Sequence, residues 1–196
     1  MRAFTKRAVA LTAIGVATSA GVMFSAGAAS ADVTGGTITL TINDSYIAQL
    51  AKAGVAIVPQ GAASVTYDTT AKTVSITFTV DGGSGSLDNY AGAVDATGAL
   101  LSLSVDHGLH TVSLGSLNLN VLFDSFNATP TGGSDTALLD LNGDISATDD
   151  DPAQSLAADQ LTIDPAGAAL LNADLHTNVF TANENIGSFS AAWTVD

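Results

Sequence analysis

The pattern that most constrains this chain is the alternation in Lys72–Val80 (KTVSITFTV). Val74, Ile76, Phe78 and Val80 take one face of an extended segment, and Thr73, Ser75, Thr77 and Thr79 take the other. A period of two suits a half-buried strand and no helix, because successive side chains of a strand point to opposite faces. Leu117–Phe123 (LNLNVLF) repeats the pattern, with Leu117, Leu119, Val121 and Phe123 set against Asn118, Asn120 and Leu122. Shorter candidates are Ser64–Tyr67, Tyr90–Asp95, Ala99–Val105, His110–Leu114, Ala137–Ile145, Leu156–Ile163 and Ser188–Val195. Turn signals separate them at Asp81–Gly85, Thr97-Gly98, His107-Gly108, Thr131–Gly133 and Asn142-Gly143. Short alternating strands at this spacing predict an all-β fold, an antiparallel β-sandwich or flattened barrel.

One or two short helices interrupt it. In Thr37–Val58, Ile38, Leu40 and Ile42 alternate with threonines as a strand. Asp44 or Ser45 then caps a helix whose apolar side is Ile47, Leu50 and Ala51, and Gly54 ends it. The phrase returns as Leu161–Leu171 (LTIDPAGAALL), which matches Leu40–Leu50 without gaps at Leu40/Leu161, Thr41/Thr162, Ile42/Ile163, Ala48/Ala169 and Leu50/Leu171. The two copies are too far apart for a solenoid repeat and are read as equivalent corner elements, with chance similarity as the rival explanation.

Met1–Ala31 reads as a signal peptide rather than as part of the fold. Arg2, Lys6 and Arg7 form a positive start, Ala8 to Ala26 carries no charge, and Ala29-Ser30-Ala31 satisfies the small-x-small cleavage rule. Lys6-Arg7 is not a twin-arginine pair, so the expected route is general secretion, with Asp32 as the mature N-terminus and a secreted product. Residues 32–196 are then a single domain without a membrane span. Of the basic side chains only Lys52 and Lys72 remain against 19 acids, a net charge of 2 − 19 = −17. Such a surface repels phosphate backbones and anionic lipid, which excludes nucleic-acid binding. The chain has no cysteine, so the exported domain has to hold together by its core.

Few residues offer chemistry. Asp140, Asn142, Asp144, Thr148 and Asp151 fall at positions 1, 3, 5, 9 and 12 of a calcium loop, but Ile145 occupies the sixth position, where the sharp turn requires Gly. A turn at Asn142-Gly143 explains the same residues, and Asp140, Asn142, Asp144 and Asp151 are kept as weak calcium candidates. His107 and His110 flank a turn, with His176 as the candidate third ligand for a metal; exposed loop histidines are the simpler reading. Gly82–Ser86 lacks the second Gly of a nucleophile elbow and the Lys of a phosphate loop, and is read as a flexible loop. No carboxylate pair is singled out among this many aspartates. Phe123, Phe126, Phe180, Phe189 and Trp193 are assigned to the core, while Tyr46, beside the buried helix face, is a residue that would face a groove.

These features together resemble the HtaA-type domain, a haem-transport-associated β-sandwich of actinobacterial exported proteins. The likeness extends over Gly36–Val195: first strand, Ser-aromatic helix, the hairpin Gly92-Ala-Val94…Gly98-Ala-Leu100, then Thr111–Leu114. The resemblance implies haem as ligand, held by a Tyr four residues after a Ser in the first helix and supported by a His two residues before the hairpin Gly. Ser45 matches the Ser and Tyr46 the aromatic beside it, but Gln49 stands at the Tyr position and Ala96 at the His position. Tyr46 or His107 is then the substitute ligand, and a Tyr at position 49 is expected to improve haem binding. The chain is read as a secreted, non-enzymatic module that binds haem or another small ligand beside Ser45, Tyr46, Gln49 and His107. The alternative is a structural or adhesive component of the cell envelope.

Overall fold

Strand β1 (Val33–Asn43) leads into helix α1 (Asp44–Lys52), and β2 (Ala56–Gly61), β3 (Ala63–Asp68) and β4 (Thr73–Val80) follow. The short β5 (Gly82–Gly83) and β6 (Ala93–Ala96) precede β7 (Ala99–Val105), a 3-10 turn (Asp106–Gly108) and β8 (His110–Asn120). Then come β9 (Ser125–Pro130), β10 (Thr136–Asp150), β11 (Ala153–Ile163), helix α2 (Pro165–Asp174) and β12 (Asn185–Val195). The structure, a computed structural model, describes residues 32–196, so the expected signal segment and its cleavage site lie outside the described residues.

The strands form one antiparallel sheet rather than two, in the order β2-β7-β8-β9-β10-β11-β12-β1-β4-β3, with β6 paired to β8 and β5 to β6. The two ends of this path, β2 and β3, are consecutive in the chain, so the sheet curls into a nearly closed barrel. Ala62 stitches the seam at one end: its N–H donates to the Gly98 carbonyl (3.0 Å) and its carbonyl accepts from the Thr79 N–H (2.9 Å). The corner needs Gly61, whose φ of +67° is open to glycine and whose missing Cβ would strike the Gly98 carbonyl. Away from Ala62 the two edges part.

The alternating residues fill the barrel. Ile76, Phe78 and Val80 of β4 are buried, and β1 pairs with it so that Ile38 lies opposite Phe78 and Leu40 opposite Ile76. Phe78 stacks on Phe126 at 5.9 Å between ring centres, and Phe126 meets Phe189 at 6.5 Å. Each such ring contributes roughly 1.5–3 kcal/mol by burial alone. On the outer face, Thr39 and Thr77 hydroxyls bond across the strands at 3.1 Å, and Thr41 and Ser75 at 3.3 Å.

Several local expectations are corrected. His110–Leu114 and Leu117–Asn120 are one strand, β8, which slips register between Gly115 and Asn118. The strand ends before Phe123, which is 72% exposed and not core. Asn142-Gly143 is no hairpin turn: β10 continues through it with a bulge opposite Ala158–Gln160, made by Gly143 at φ +75°, while the Asp144 N–H donates to Asp159 Oδ1 (2.8 Å). Gly82–Ser86 is not a loose loop. Trp193 Nε1 donates to the Gly85 carbonyl (3.1 Å), and the buried Gln154 accepts from the Leu87 N–H (3.0 Å) while donating to Asp149 (3.0 Å). This segment seals the barrel end opposite the helices. β9, a segment absent from the strand candidates above, joins β8 to β10 and carries Phe126 into the core.

Candidate functional site

β1 and β11 both pair antiparallel with β12, so they run parallel to each other and their helices leave the barrel at the same end. The repeated strand-helix phrase therefore builds two lids side by side. The copies are not in register on β12: Leu40 faces Phe189, whereas Leu161 faces Gly187. The first residue of β2 pairs with Ser104 near the end of β7, so the Asp106–Gly108 turn shares this end.

The helices start differently. Asp164 caps α2, accepting from Ala166 N (2.6 Å) and Gly167 N (3.4 Å), with Pro165 at the first helical position. In α1 the cap residue is Asn43, not Asp44 or Ser45, and its side chain makes no capping bond; the Asp44 N–H is satisfied by the Lys72 carbonyl (3.0 Å). Gly54 does end α1, by a Schellman closure: Gly54 N to Ala51 O (3.0 Å), Val55 N to Leu50 O (2.9 Å), and φ +75° at Gly54.

At 100° per residue, Tyr46 and Leu50 point down and are the buried residues of α1. Ser45 and Gln49 lie on one flank and are exposed, while Ile47 and Ala51 lie on the other. Ala51 is exposed rather than core, and Tyr46 is interior, 6% exposed, where the sequence pattern assigned it to a groove edge. The reason is the geometry of the seam: α1 packs on β1 and β4 and tilts its Ile47–Ala51 flank over the parting strand edges.

Two spaces result. The first is an apolar cavity of about 60 Å³ beneath both helices, lined by Leu40, Ile42, Tyr46 and Leu50 from the first phrase and by Ile163 and Leu171 from the second. The hydroxyl of the lining residue Tyr46 is buried and bonded to no other described protein group; Glu184 Oε2 is likewise buried without a partner. Glu184 follows the 3.2 Å turn bond from its N–H to the Thr181 carbonyl, and its own carbonyl accepts from Ile163 N–H (3.1 Å). Burial, and secondarily the Glu184 charge, push the Tyr46 phenol far above the ordinary tyrosine range.

The second is an open groove of about 190 Å³ between α1 and the seam, lined by Ile47 and Ala51 of α1, Ile57 and Pro59 of β2, Val65 of β3 and Val74 of β4. Leu50, Ile57 and Ile76 line both spaces and form the wall between them. Val65 shares its side of β3 with Tyr67, two residues on, and Tyr67 lies directly across from the lining residue Val74. Tyr67 is 53% exposed, so a phenol stands at the rim of an otherwise aliphatic groove.

The expected site residues thus separate. Ser45 and Gln49 share a flank, but it is the flank away from the groove; Tyr46 is inside the barrel; His107 is exposed in the 3-10 turn at φ +58°. Ala96 is fully buried on β6, beyond the Gly61 corner and therefore at the far end of β2 from α1. Six residues of strand at about 3.3 Å each separate the two ends, roughly 20 Å. His110 and His176 do meet, with ring centres 4.3 Å apart and planes tilted by 42°. Among the described residues no three His, Asp or Glu side chains converge as a metal site.

The calcium candidates are likewise strung out. Asp140 and Asn142 lie on β10 near its α2 end, with Asn142 Nδ2 donating to Thr162 Oγ1 (2.7 Å), whereas Asp151 lies past the other end of the strand. Eleven residues at about 3.3 Å put them roughly 35 Å apart, too far for one ion. Burial and the neighbouring Asp164 raise the Asp140 carboxyl. At the far end Asp149, by hydrogen bond and charge, and then Asp151 raise Asp88.

Sequence reasoning missed Tyr67 and Glu184. Tyr67 was legible as the apolar-face partner of Val65 in Ser64–Tyr67, had that strand been placed at a sheet edge. Glu184 carried one signal, being the only Glu of the chain.

No protein-family profile matches the chain, and no curated protein matches it in sequence. Solved structures do. The C-terminal domain of HtaA from Corynebacterium glutamicum superposes with a TM-score of 0.59 at 13% identity, over 85% of this chain and 100% of that one. The N-terminal domain of the same protein gives 0.54 at 14% identity, over 84% and 98%. A domain-swapped dimer of a single-residue variant of the C-terminal domain gives 0.52 at 12% identity, over 78% and 91%. The distant resemblance carried by the first helix and hairpin is therefore real at the level of architecture: this chain shares the fold of the HtaA domains.

Proposed function

We propose that this protein is an exported, non-enzymatic ligand-binding module of the HtaA type, which takes a small apolar ligand in the groove between α1 and the β2/β3 seam. The observation that carries the reading is the groove itself: about 190 Å³, lined by aliphatic side chains, where the β2 and β3 edges part. Its aliphatic lining offers no nucleophile and no acid or base, which supports binding rather than catalysis. The basic start, uncharged run and Ala29-Ser30-Ala31 site of the first 31 residues support export by the general secretory route.

Haem is the ligand that the HtaA resemblance implies. A groove below the usual size of a small-molecule site grips only an edge of a porphyrin. Neither Gln49 nor Ala96 supplies an iron ligand or its support, and the Tyr46 phenol is buried, leaving Tyr67 as the phenol within reach of the groove. The reading therefore expects weak haem binding. Titration of the mature protein with a neutral apolar fluorophore and with ferric haem tests it: the fluorophore saturates at one site per chain, and the haem Soret band shifts only partially. Absence of saturable binding for both removes the ligand-binding reading in favour of an envelope module that works by its surface.

A further inference from the structure

Apart from the groove and the cavity, the fold brings together two of the chain's three histidines, which lie 66 positions apart in the sequence. His110 opens β8, where it pairs with Val105 across the hairpin from β7. His176 stands in the turn just past α2, the helix that packs against β8. Their ring centres are 4.3 Å apart and the ring planes are tilted by 42°. His176 is exposed and His110 half-buried, so solvent reaches the pair.

The backbone on both sides is held. β8 is paired with β7 from His110 to Leu114. Beside His176, Leu175 is fully buried and the Thr177 N–H donates to the Asn172 carbonyl (3.0 Å). The Asn172 side chain clamps the returning chain, donating to the Phe180 carbonyl (2.7 Å) and accepting from the Phe180 N–H (3.2 Å). Rings carried on segments fixed in this way keep their spacing without further ordering, which is the condition for chelating one ion.

Neutral imidazole is a metal ligand, and once one ring has bound, the second closes as an intramolecular step. The outer torsion of a histidine side chain is soft, so each ring can turn a nitrogen towards a shared ion. A ligating nitrogen lies about 2.1 Å from the ion with its ring centre roughly 1.1 Å beyond, so two imidazoles at right angles have centres about 4.5 Å apart. A tetrahedral angle would spread them to about 5.2 Å. The observed 4.3 Å thus suits neighbouring positions on a tetragonal ion, the geometry of copper(II) or nickel(II), better than tetrahedral zinc. Of these, copper(II) binds nitrogen ligands more tightly. Among the described residues no third His, Asp or Glu side chain joins the pair, so the other positions fall to water. The field of a strongly acidic chain, −14 overall, favours a cation.

We propose that His110 and His176 form a two-histidine site for copper(II), bound in neighbouring equatorial positions with water completing the coordination. His107 takes no part. The proposal does not rest on the groove reading, since it concerns other residues and another probe.

The test is titration of the mature protein with copper(II) chloride in a non-coordinating buffer, read by electron paramagnetic resonance, on the native chain and on His110→Gln, His176→Gln and His107→Gln. The first copper bound by the native chain is expected to show two equatorial imidazole nitrogens. Affinity should fall at least tenfold in His110→Gln and in His176→Gln, and change less than twofold in His107→Gln. All three positions are open to solvent, so the substitutions leave the core in place. A first copper with one imidazole nitrogen or none would overturn the proposal. So would full affinity in either His110→Gln or His176→Gln, or an equal loss in all three variants.

Discussion

Tyr46 and Gly167 occupy equivalent positions in the two strand-helix phrases, under the same offset that aligns Leu40 with Leu161, and both are buried beneath their helices. In α2 the glycine lets the helix sit directly on β10: a Cβ at Gly167 would come within 2.6 Å of the Leu138 carbonyl and 2.7 Å of its Cα. In α1 a phenol ring fills the corresponding place and holds the helix off. One helix thus seats directly on its strand, while a cavity lies beneath the pair and a groove beside α1. Gly167→Ala should destabilise the protein by about 1–3 kcal/mol through this overlap, even though Ala exceeds Gly in helix propensity by about 1 kcal/mol. Equilibrium denaturation in urea measures it, and a neutral or stabilising Gly167→Ala would show that α2 is not seated on β10.

Tyr46 also sets an alkaline limit on stability. The fold raises the phenol's pKa, so the group's contribution is fully present below the unfolded value near 10 and is lost as pH climbs towards the folded one. Above about pH 10 the native protein should lose roughly 1.4 kcal/mol per pH unit from this group alone. Tyr46→Phe, which also deletes a hydroxyl without a protein partner, should remove that slope and cost little at neutral pH. Denaturation series at pH 8, 10 and 11 for both proteins supply the comparison; parallel pH dependences would mean that the phenol ionises freely in the folded state.

The barrel wall makes a third prediction. Phe78 is fully buried against Phe126, while its neighbour Thr79 points outwards and is exposed. Phe78→Asp should cost several kcal/mol and Thr79→Asp about 0.5 kcal/mol or less. Thermal melts of the two variants decide it, and similar losses would show the strand's two faces to be alike.

How legible this was follows from the physics of each part. The alternation of β4 and β7 gave both strands nearly to the residue, because one face of each must meet the core. A flattened barrel was one of the two architectures expected, but which strands close it was not legible, since closure rests on Ala62 and Gly61 joining two edge strands, a long-range relationship without a local pattern. Asn142-Gly143 looked like a hairpin turn because a bulge uses the same residues and the same positive φ. At the site, the periodicity of α1 gave an apolar side of Ile47, Leu50 and Ala51, of which Leu50 alone is buried. It misjudged Tyr46, because a helix spanning an open seam is turned by what lies beneath it, so that Tyr46 is buried and Ala51 is not.

Haem distinguishes two flanks of α1. The groove account places any porphyrin on the Ile47–Ala51 side, within reach of Tyr67, so Tyr67→Phe should weaken the ferric haem complex several-fold and Gln49→Tyr should leave it unchanged. The HtaA resemblance taken residue by residue implies the reverse, improvement by Gln49→Tyr with no effect at Tyr67. Soret titrations of the two variants separate these outcomes.

The most direct measurement is fluorescence titration of the mature protein with the neutral apolar fluorophore N-phenyl-1-naphthylamine, compared with Val65→Asp and Ala51→Glu. Both substitutions put a charge on an already exposed position of the groove wall, so the fold should survive while the aliphatic surface is lost. The account predicts saturable binding of one fluorophore per native chain and at least tenfold weaker binding in each variant. Native binding that both variants retain, or no saturable binding by the native chain, would contradict the claim that the parted seam beside α1 is where this protein holds its ligand.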